Sequence, residues 1–177
     1  MQSTDAEMQA VRADNRRKQV RNMRRSDREI SDMDEIIRIM EKCDVCRLAL
    51  LDETYPYILP LNFGFQRADN RVTLYFHGAD QGKKYELIRK NSHAGFEMDC
   101  AHKLVTGEEA CSYSMEYESV TGRGRLEFVP EEEKQEALRI LMKHYSQKEL
   151  PFRPSVIAKT TVMKLVAEEV TGKAHRR

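Results

Sequence analysis

Tyr75-Phe76-His77-Gly78-Ala79-Asp80-Gln81-Gly82-Lys83-Lys84 is the stretch of this chain best suited to chemistry. An apolar run ends at His77, Gly78 and Gly82 bound a polar loop, and two lysines open the next apolar-periodic segment. Backbone N–H groups at the start of a helix favour an anion. Two ammonium groups beside them would strengthen a phosphate site. A solvated turn can have the same composition, and no Walker-type pattern is present to decide between them. His77 stands at the strand end. With an ordinary pKa of about 6.5, such a side chain can give or take a proton near neutral pH, or simply hydrogen-bond neighbouring backbone.

Two other sets carry chemical side chains. Arg123 and Arg125 flank Gly124 in an alternating stretch, so they share one strand face. That face is either solvated or turned toward a cofactor held by a partner chain. Cys43-Asp44-Val45-Cys46 is a C-x-x-C match, but it straddles a helix end and a strand start, whereas a redox motif opens a helix after a strand. Cys100, His102 and Cys111 could extend it to a zinc set. Their spacing is irregular, so the reading is of separate small buried residues and no metal site.

The elements that must position these residues follow from periodicity. Ser31 and Asp32 offer N-caps, with Asp34 and Glu35 three residues on. Ile36, Ile37, Met40 and Cys43 then keep helical spacing, which predicts a short helix to about Cys43. Val45–Leu51, Tyr55–Phe65 and Val72–His77 read as strands, the last two joined by a turn at Asp69-Asn70. Pro56 and Pro60 make the second an edge strand or a bulged one. One or two helical turns end near Asn91, and a fourth strand covers Ala94–Asp99. Cys100–Cys111 reads as a loop, and Glu116–Val129 as the longest strand. Gly122 and Gly124 mark a bulge or a close backbone approach within it. Pro130 and Glu131–Glu133 suit a helix start, and Leu138, Leu141, Met142 and Tyr145 form that helix's apolar stripe. A loop follows over Gln147–Ser155. Thr161–Val170 closes the domain as a sixth strand.

The chain has 177 residues, enough for one domain with appendages. Lys and Arg number 30 against 29 Asp and Glu, a balance that argues against a general nucleic-acid binder. Basic residues crowd the start, at Arg12, Arg16, Arg17, Lys18, Arg21, Arg24, Arg25 and Arg28. Residues 1–25 are therefore read as a solvated, weakly ordered or helical extension, and residues 26–177 as the domain. No apolar run approaches the roughly 20 residues of a membrane helix, and no signal-peptide core follows the start. The expectation is a cytoplasmic protein with reduced cysteines.

The motifs in order bring a family resemblance. His77 to Lys84 resembles the phosphate-binding stretch of FMN-binding split barrels, the pyridoxamine 5'-phosphate oxidase-like flavoproteins. Cys46-Arg47-Leu48-Ala49-Leu50 followed by Pro60-Leu61-Asn62-Phe63-Gly64-Phe65 resembles the paired strands whose backbone lies against the flavin ring. Ala110-Cys111-Ser112-Tyr113, Ser119-Val120-Thr121-Gly122-Arg123-Gly124 and Thr171-Gly172-Lys173 follow in the family's order, over about Met23 to Lys173. The fit is best to the nitroimidazole-resistance branch. The oxidase proper carries a C-terminal substrate segment with Arg, His and Trp, whereas this chain has no Trp and ends soon after Lys173.

The resemblance implies a mainly β fold, a six-stranded antiparallel split β-barrel with a few flanking helices. It implies bound FMN and a homodimer in which each flavin site is completed by the other chain. It implies cofactor contacts from Pro60, Leu61, Asn62, Phe63, Gly64, Phe76, His77, Gly78, Ala79, Gly82, Lys83, Lys84, Thr121, Gly122 and Arg123. His77 becomes the active-site residue of an FMN-dependent oxidoreductase that reduces a small aromatic or nitro electrophile. A flavin carrier or sensor without efficient turnover, or a haem-binding split barrel, are the other activities such a barrel supports.

Overall fold

The computed structural model describes residues 23–177, so residues 1–22 of the expected extension lie outside the described residues. In chain order the strands are β1 (Glu29–Ile30), β2 (Cys46–Leu50), β3 (Tyr57–Leu61), β4 (Phe63–Ala68), β5 (Arg71–Gly78), β6 (His93–Val105), β7 (Ser114–Phe128) and β8 (Thr161–His175). The α-helices are α1 (Met33–Met40), α2 (Lys83–Lys90), α3 (Lys134–Tyr145) and the single turn α4 (Pro154–Ile157). Every strand pairing is antiparallel.

The strands hydrogen-bond in the order β3-β2-β6-β7-β8-β5-β4, with β1 pairing β8. That path begins on β3 and ends on β4, which only Asn62 separates. The sheet thus returns to the segment it started from, and closure removes most of the open edge a flat sheet would leave. Taken as one bent strand, β3 and β4 join β2, β5, β6, β7 and β8 as the six-membered barrel anticipated from sequence. The count of eight segments comes from the bend at Asn62 and the two-residue β1. The fold is the mainly β split barrel. Pro60 sits opposite Arg47 on β3, which pairs β2 alone, the kind of edge position where a missing N–H is tolerated.

Alternation drives the inner face. Leu48 and Leu50, Leu74 and Phe76, and Met163 and Leu165 are buried at every second position of their strands. The helices close the barrel by their apolar stripes. Asp32 caps α1, accepting from the Asp34 amide at 3.0 Å, and Ile36, Ile39 and Met40 are buried. α1 stops at Met40, short of the expected Cys43, and a turn carries the chain on. α3 buries Ala137, Leu138 and Leu141. It lies so close on β4 that a Cβ at Gly64 would fall 2.3 Å from the Leu141 Cα. Tyr145 at its end accepts from the Phe63 amide at 3.0 Å and donates to the Asp44 carbonyl at 2.8 Å. The strand bend is thereby pinned to the α1–β2 connection.

Two expectations shift. β6 runs on to Val105 through residues read as loop, because Lys103, Leu104 and Val105 pair with Glu116, Met115 and Ser114 across an irregularity at Cys100–Lys103. β8 likewise extends to His175. The expected bulge at the β7 glycines is present: the β7–β8 register shifts between Arg123 and Gly124. A Cβ at Gly124 would meet the Val166 carbonyl oxygen at 2.1 Å, and one at Gly122 the Phe96 Cζ at 2.3 Å. Among the described residues no helix is long and apolar enough to cross a membrane.

Candidate functional site

β5 delivers His77 and Gly78 to the rim of the barrel, and a four-residue loop leads into α2. Gly82 adopts φ 127°, a conformation an L side chain rarely takes, and no side chain caps the helix it opens. The Tyr85 amide bonds the Gly82 carbonyl at 3.0 Å. The amides of Lys83 and Lys84 have no backbone partner among the described residues. Two free donors therefore stand at the positive end of a two-turn helix.

The two lysines differ. Lys83 Nζ binds Asp52 Oδ2 at 2.6 Å and lies 5.4 Å from the centroid of the Tyr57 ring. Lys84 is partly buried and forms no ion pair among the described residues. Its ammonium rests 4.9 Å from the Tyr85 ring centroid, against Gly78, where an added Cβ would meet Nζ at 2.4 Å. Burial pushes its pKa down. The Tyr85 hydroxyl would meet the same added Cβ at 2.7 Å. Tyr85 is 1% exposed, and its hydroxyl has no hydrogen-bond partner among the described residues. Burial raises this hydroxyl's pKa. Thr161 is near enough to temper the shift without meeting hydrogen-bond geometry. A buried hydroxyl without a partner is rare enough to require an explanation.

His77 has an exposed edge on a cavity of about 490 Å³ that opens to solvent, lined also by Gly78, Ala79, Ser155, Val156, Lys159 and Thr160. Burial and then the charge of Lys84 hold the His77 pKa below its usual value. At neutral pH the ring is therefore neutral.

The remaining candidates fall into three groups. Pro60 and Asn62 are exposed on the strand bend, and Leu61 is half-buried between them. Phe63 pairs with Phe76, so Asn62 and His77 are the next residues along their neighbouring strands. Phe63, Gly64 and Phe76 are buried in the chain itself, Phe63 beside His144 at 4.4 Å between ring centroids and Gly64 beneath α3. Thr121, Gly122 and Arg123 lie elsewhere. Thr121 pairs with Thr171, whereas His77 pairs with Val162, nine residues away along β8 (171 − 162 = 9). Nine residues of strand span about 30 Å. Across the sheet, Pro60, Arg47, Glu97 and Thr121 form one row over three strand spacings, about 14 Å. Thr121 and His77 are therefore not neighbours in the sheet of one chain. Arg123 and Arg125 share the exposed face expected of them, paired with Glu169 and Glu168.

The cysteines are dispersed in role. Cys43 and Cys46 are buried, and burial raises both thiols, Cys46 to about 12. Cys43 donates to the Ile39 carbonyl at 3.3 Å, and Cys111 is exposed on another loop. Among the described residues no three His, Cys, Asp or Glu side chains gather as a metal set. Sequence reasoning missed Asp52, the Tyr85 hydroxyl, and the Ser155–Thr160 wall. Asp52 reads as turn filler, and Tyr85 as one more apolar position on a helix.

The chain belongs to the pyridoxamine 5'-phosphate oxidase family, whose match spans residues 32–174. Among solved structures it is similar to a protein from Bacteroides thetaiotaomicron, provisionally described as a 5-nitroimidazole antibiotic resistance protein. The two are 34% identical over 82% of this chain and 86% of that one, with a TM-score of 0.72. It is also similar to a FAD-binding protein from Mesorhizobium loti, at 25% identity, 84% and 98% coverage and a TM-score of 0.59. The FAD- and haem-binding protein from Mycobacterium smegmatis shares the fold, at 16% identity, 85% and 74% coverage and a TM-score of 0.74. No curated protein matches.

Proposed function

We propose that this chain is a flavin-dependent oxidoreductase resembling nitroimidazole reductases, which holds FMN by its phosphate at the β5–α2 turn. One observation carries the reading. Among the described residues, an ammonium without a carboxylate, two amides without acceptors and a buried hydroxyl without a partner converge at this turn. A phosphate oxygen is the ligand that satisfies all three kinds of donor at once. The family and the likeness to the Bacteroides protein supply the flavin and the small aromatic or nitro electrophile as its acceptor.

When bound, FMN would supply electrons singly or in pairs. The chain's residues position and protonate. Lys84 and the Lys83 and Lys84 amides would hold the phosphate, with Gly78 leaving room for it. His77 would face the acceptor from the cavity wall. An anion on Lys84 would cancel the charge that helps depress the His77 pKa, so more of the imidazole would carry the proton to be donated near neutral pH. Thr121, Gly122 and Arg123, remote from this turn in one chain, would reach the flavin of the partner subunit in a homodimer. A cytoplasmic setting accords with four free cysteines.

The test is anaerobic single-turnover reoxidation of the reduced, flavin-loaded protein by a nitroimidazole. Wild type should react faster than free reduced FMN. His77→Ala should keep flavin and slow the step by roughly 10²–10⁴-fold, the usual range for a placed general acid. A wild type no faster than free FMN leaves a flavin carrier instead. Sedimentation should give twice the 20.7 kDa chain mass, and a flavin-loaded monomer would remove the shared-site part of the reading.

A further inference from the structure

Of the two adjacent lysines, one has a carboxylate against it. Asp52, from the β2–β3 turn, places Oδ2 2.6 Å from Lys83 Nζ. Its side chain is only 23% exposed, so water screens it poorly, whereas Lys83 remains 53% exposed. The Tyr57 ring lies on the same ammonium, 5.4 Å to its centroid. Lys83 is thus held toward β3 by a charge and an aromatic face, while Lys84 lies over Gly78 with no carboxylate on it among the described residues.

We infer that Asp52 sets the affinity of the β5–α2 turn for phosphate, by competing with the incoming anion for Lys83. The inference rests on the phosphate reading above. A phosphate oxygen and a carboxylate oxygen on one ammonium would stand within about 6 Å of each other, two hydrogen-bond lengths. At that separation like charges repel, and a carboxylate largely shielded from water repels most. Asp52 also restrains the Lys83 side chain, which would favour binding by pre-ordering it. That gain is bounded by the rotamer freedom of one half-exposed lysine. The repulsion acts against a doubly charged phosphomonoester and outweighs it. The ion pair therefore weakens the site and speeds release of its ligand, while Lys84 supplies the uncontested contact.

The experiment is flavin binding by fluorescence quenching at low salt, with full-length wild type, Asp52→Asn, Lys83→Ala, the double variant and Lys84→Ala. FMN and riboflavin are the probes. Asp52→Asn should bind FMN about two- to fivefold tighter, the range expected for a partly exposed ion pair. Riboflavin affinity should not move. The gain should disappear in the Lys83→Ala background. It should also shrink from about pH 8 to pH 5, as the phosphomonoester, with a second pKa of about 6, loses one charge. The isosteric change keeps the turn's packing, and thermal melting checks that the fold is retained. Unchanged or weaker FMN binding by Asp52→Asn overturns the inference, as does an equal gain for riboflavin or a gain that persists without Lys83. The parent reading fails separately, and this one with it, if Lys84→Ala leaves FMN affinity unchanged and FMN binds no tighter than riboflavin.

Discussion

Glu118 on β7 and Lys84 on α2 are both ionisable side chains drawn partly out of water, and the chain surrounds them differently. Glu118 is 6% exposed and fully answered. Lys42 donates to it at 2.8 Å and Arg176 at 2.7 Å, and Arg176 also reaches Glu35 at 2.6 Å. This closed network ties α1, the α1–β2 connection and the C-terminal end of β8 to the middle of the sheet. Among the described residues Lys84 has an aromatic face and no carboxylate, beside a hydroxyl without a partner. A buried polar group costs free energy until it is paired. Where the chain supplies every partner, the cluster is structural. Where it leaves donors open at a helix start, they are available to the proposed phosphate.

The largest expected effect breaks the open region alone. Lys84→Ala should lower FMN affinity about ten- to a hundredfold, the loss of a charge-assisted contact of about 1.5–3 kcal/mol. Its melting temperature without flavin should stay within a degree or two of wild type. Titration with FMN and calorimetry together decide it. A large loss of stability with no loss of affinity would make Lys84 a structural residue and erase the contrast.

Glu118→Gln is the converse. It should cost about 1–2 kcal/mol of stability, because its two cationic partners are half-exposed and recover water. Flavin affinity should stay the same. Denaturant unfolding checks this, and weakened flavin binding would show that the two regions are coupled.

The pH dependence sharpens the closed region further. Burial alone would raise the Glu118 carboxyl, but the hydrogen bonds and charges of Lys42 and Arg176 outweigh it and hold the pKa below 4.5. A folded-state pKa below the unfolded one means that the stabilisation is complete above about pH 4.5. It fades as the pH falls through the lower, folded value. Stability measured from pH 6 down to pH 3 should therefore fall less steeply in Glu118→Gln than in wild type. Parallel curves would remove Glu118 as the cause.

The smallest effect concerns Tyr85. Tyr85→Phe removes a hydroxyl that has no partner, so it should stabilise the flavin-free protein by up to about 1 kcal/mol. FMN affinity should fall by only a few-fold, since one neutral contact is lost. A destabilised variant would mean that water already satisfies that hydroxyl.

Much of the fold was legible because its signals are local. Alternation at Leu48 and Leu50 or Met163 and Leu165, the turn at Asp69-Asn70 and the acidic start after Pro130 each act over a few residues. Pro60 and Gly124 were legible for the same reason, one by a missing donor and the other by a missing Cβ. The outer end of β6 was not legible. Cys100, Ala101, His102 and Lys103 show no strand alternation, and Ala101 turns through φ 56°. Pairing of Lys103 with Glu116 holds that strand, and a pairing across the hairpin has no mark in the strand's own residues. The β5–α2 turn was legible as a glycine-bearing loop leading into lysines. Its chemistry was not, because Asp52 comes from another turn thirty-one positions earlier (83 − 52 = 31).

The sequence by itself determined the six main strands of the barrel, the place of the β5–α2 turn and the family. Periodicity, turn chemistry and motif order are properties of the chain read along its length. Only the tertiary structure decided which lysine lacks a carboxylate among the described residues, which hydroxyl lacks a partner among them, and that Thr121 and His77 pair with positions nine residues apart on β8. Those depend on which groups folding brings within hydrogen-bond reach. At 2.6 Å, one carboxylate on Lys83 separates two neighbours that the sequence presents as equals.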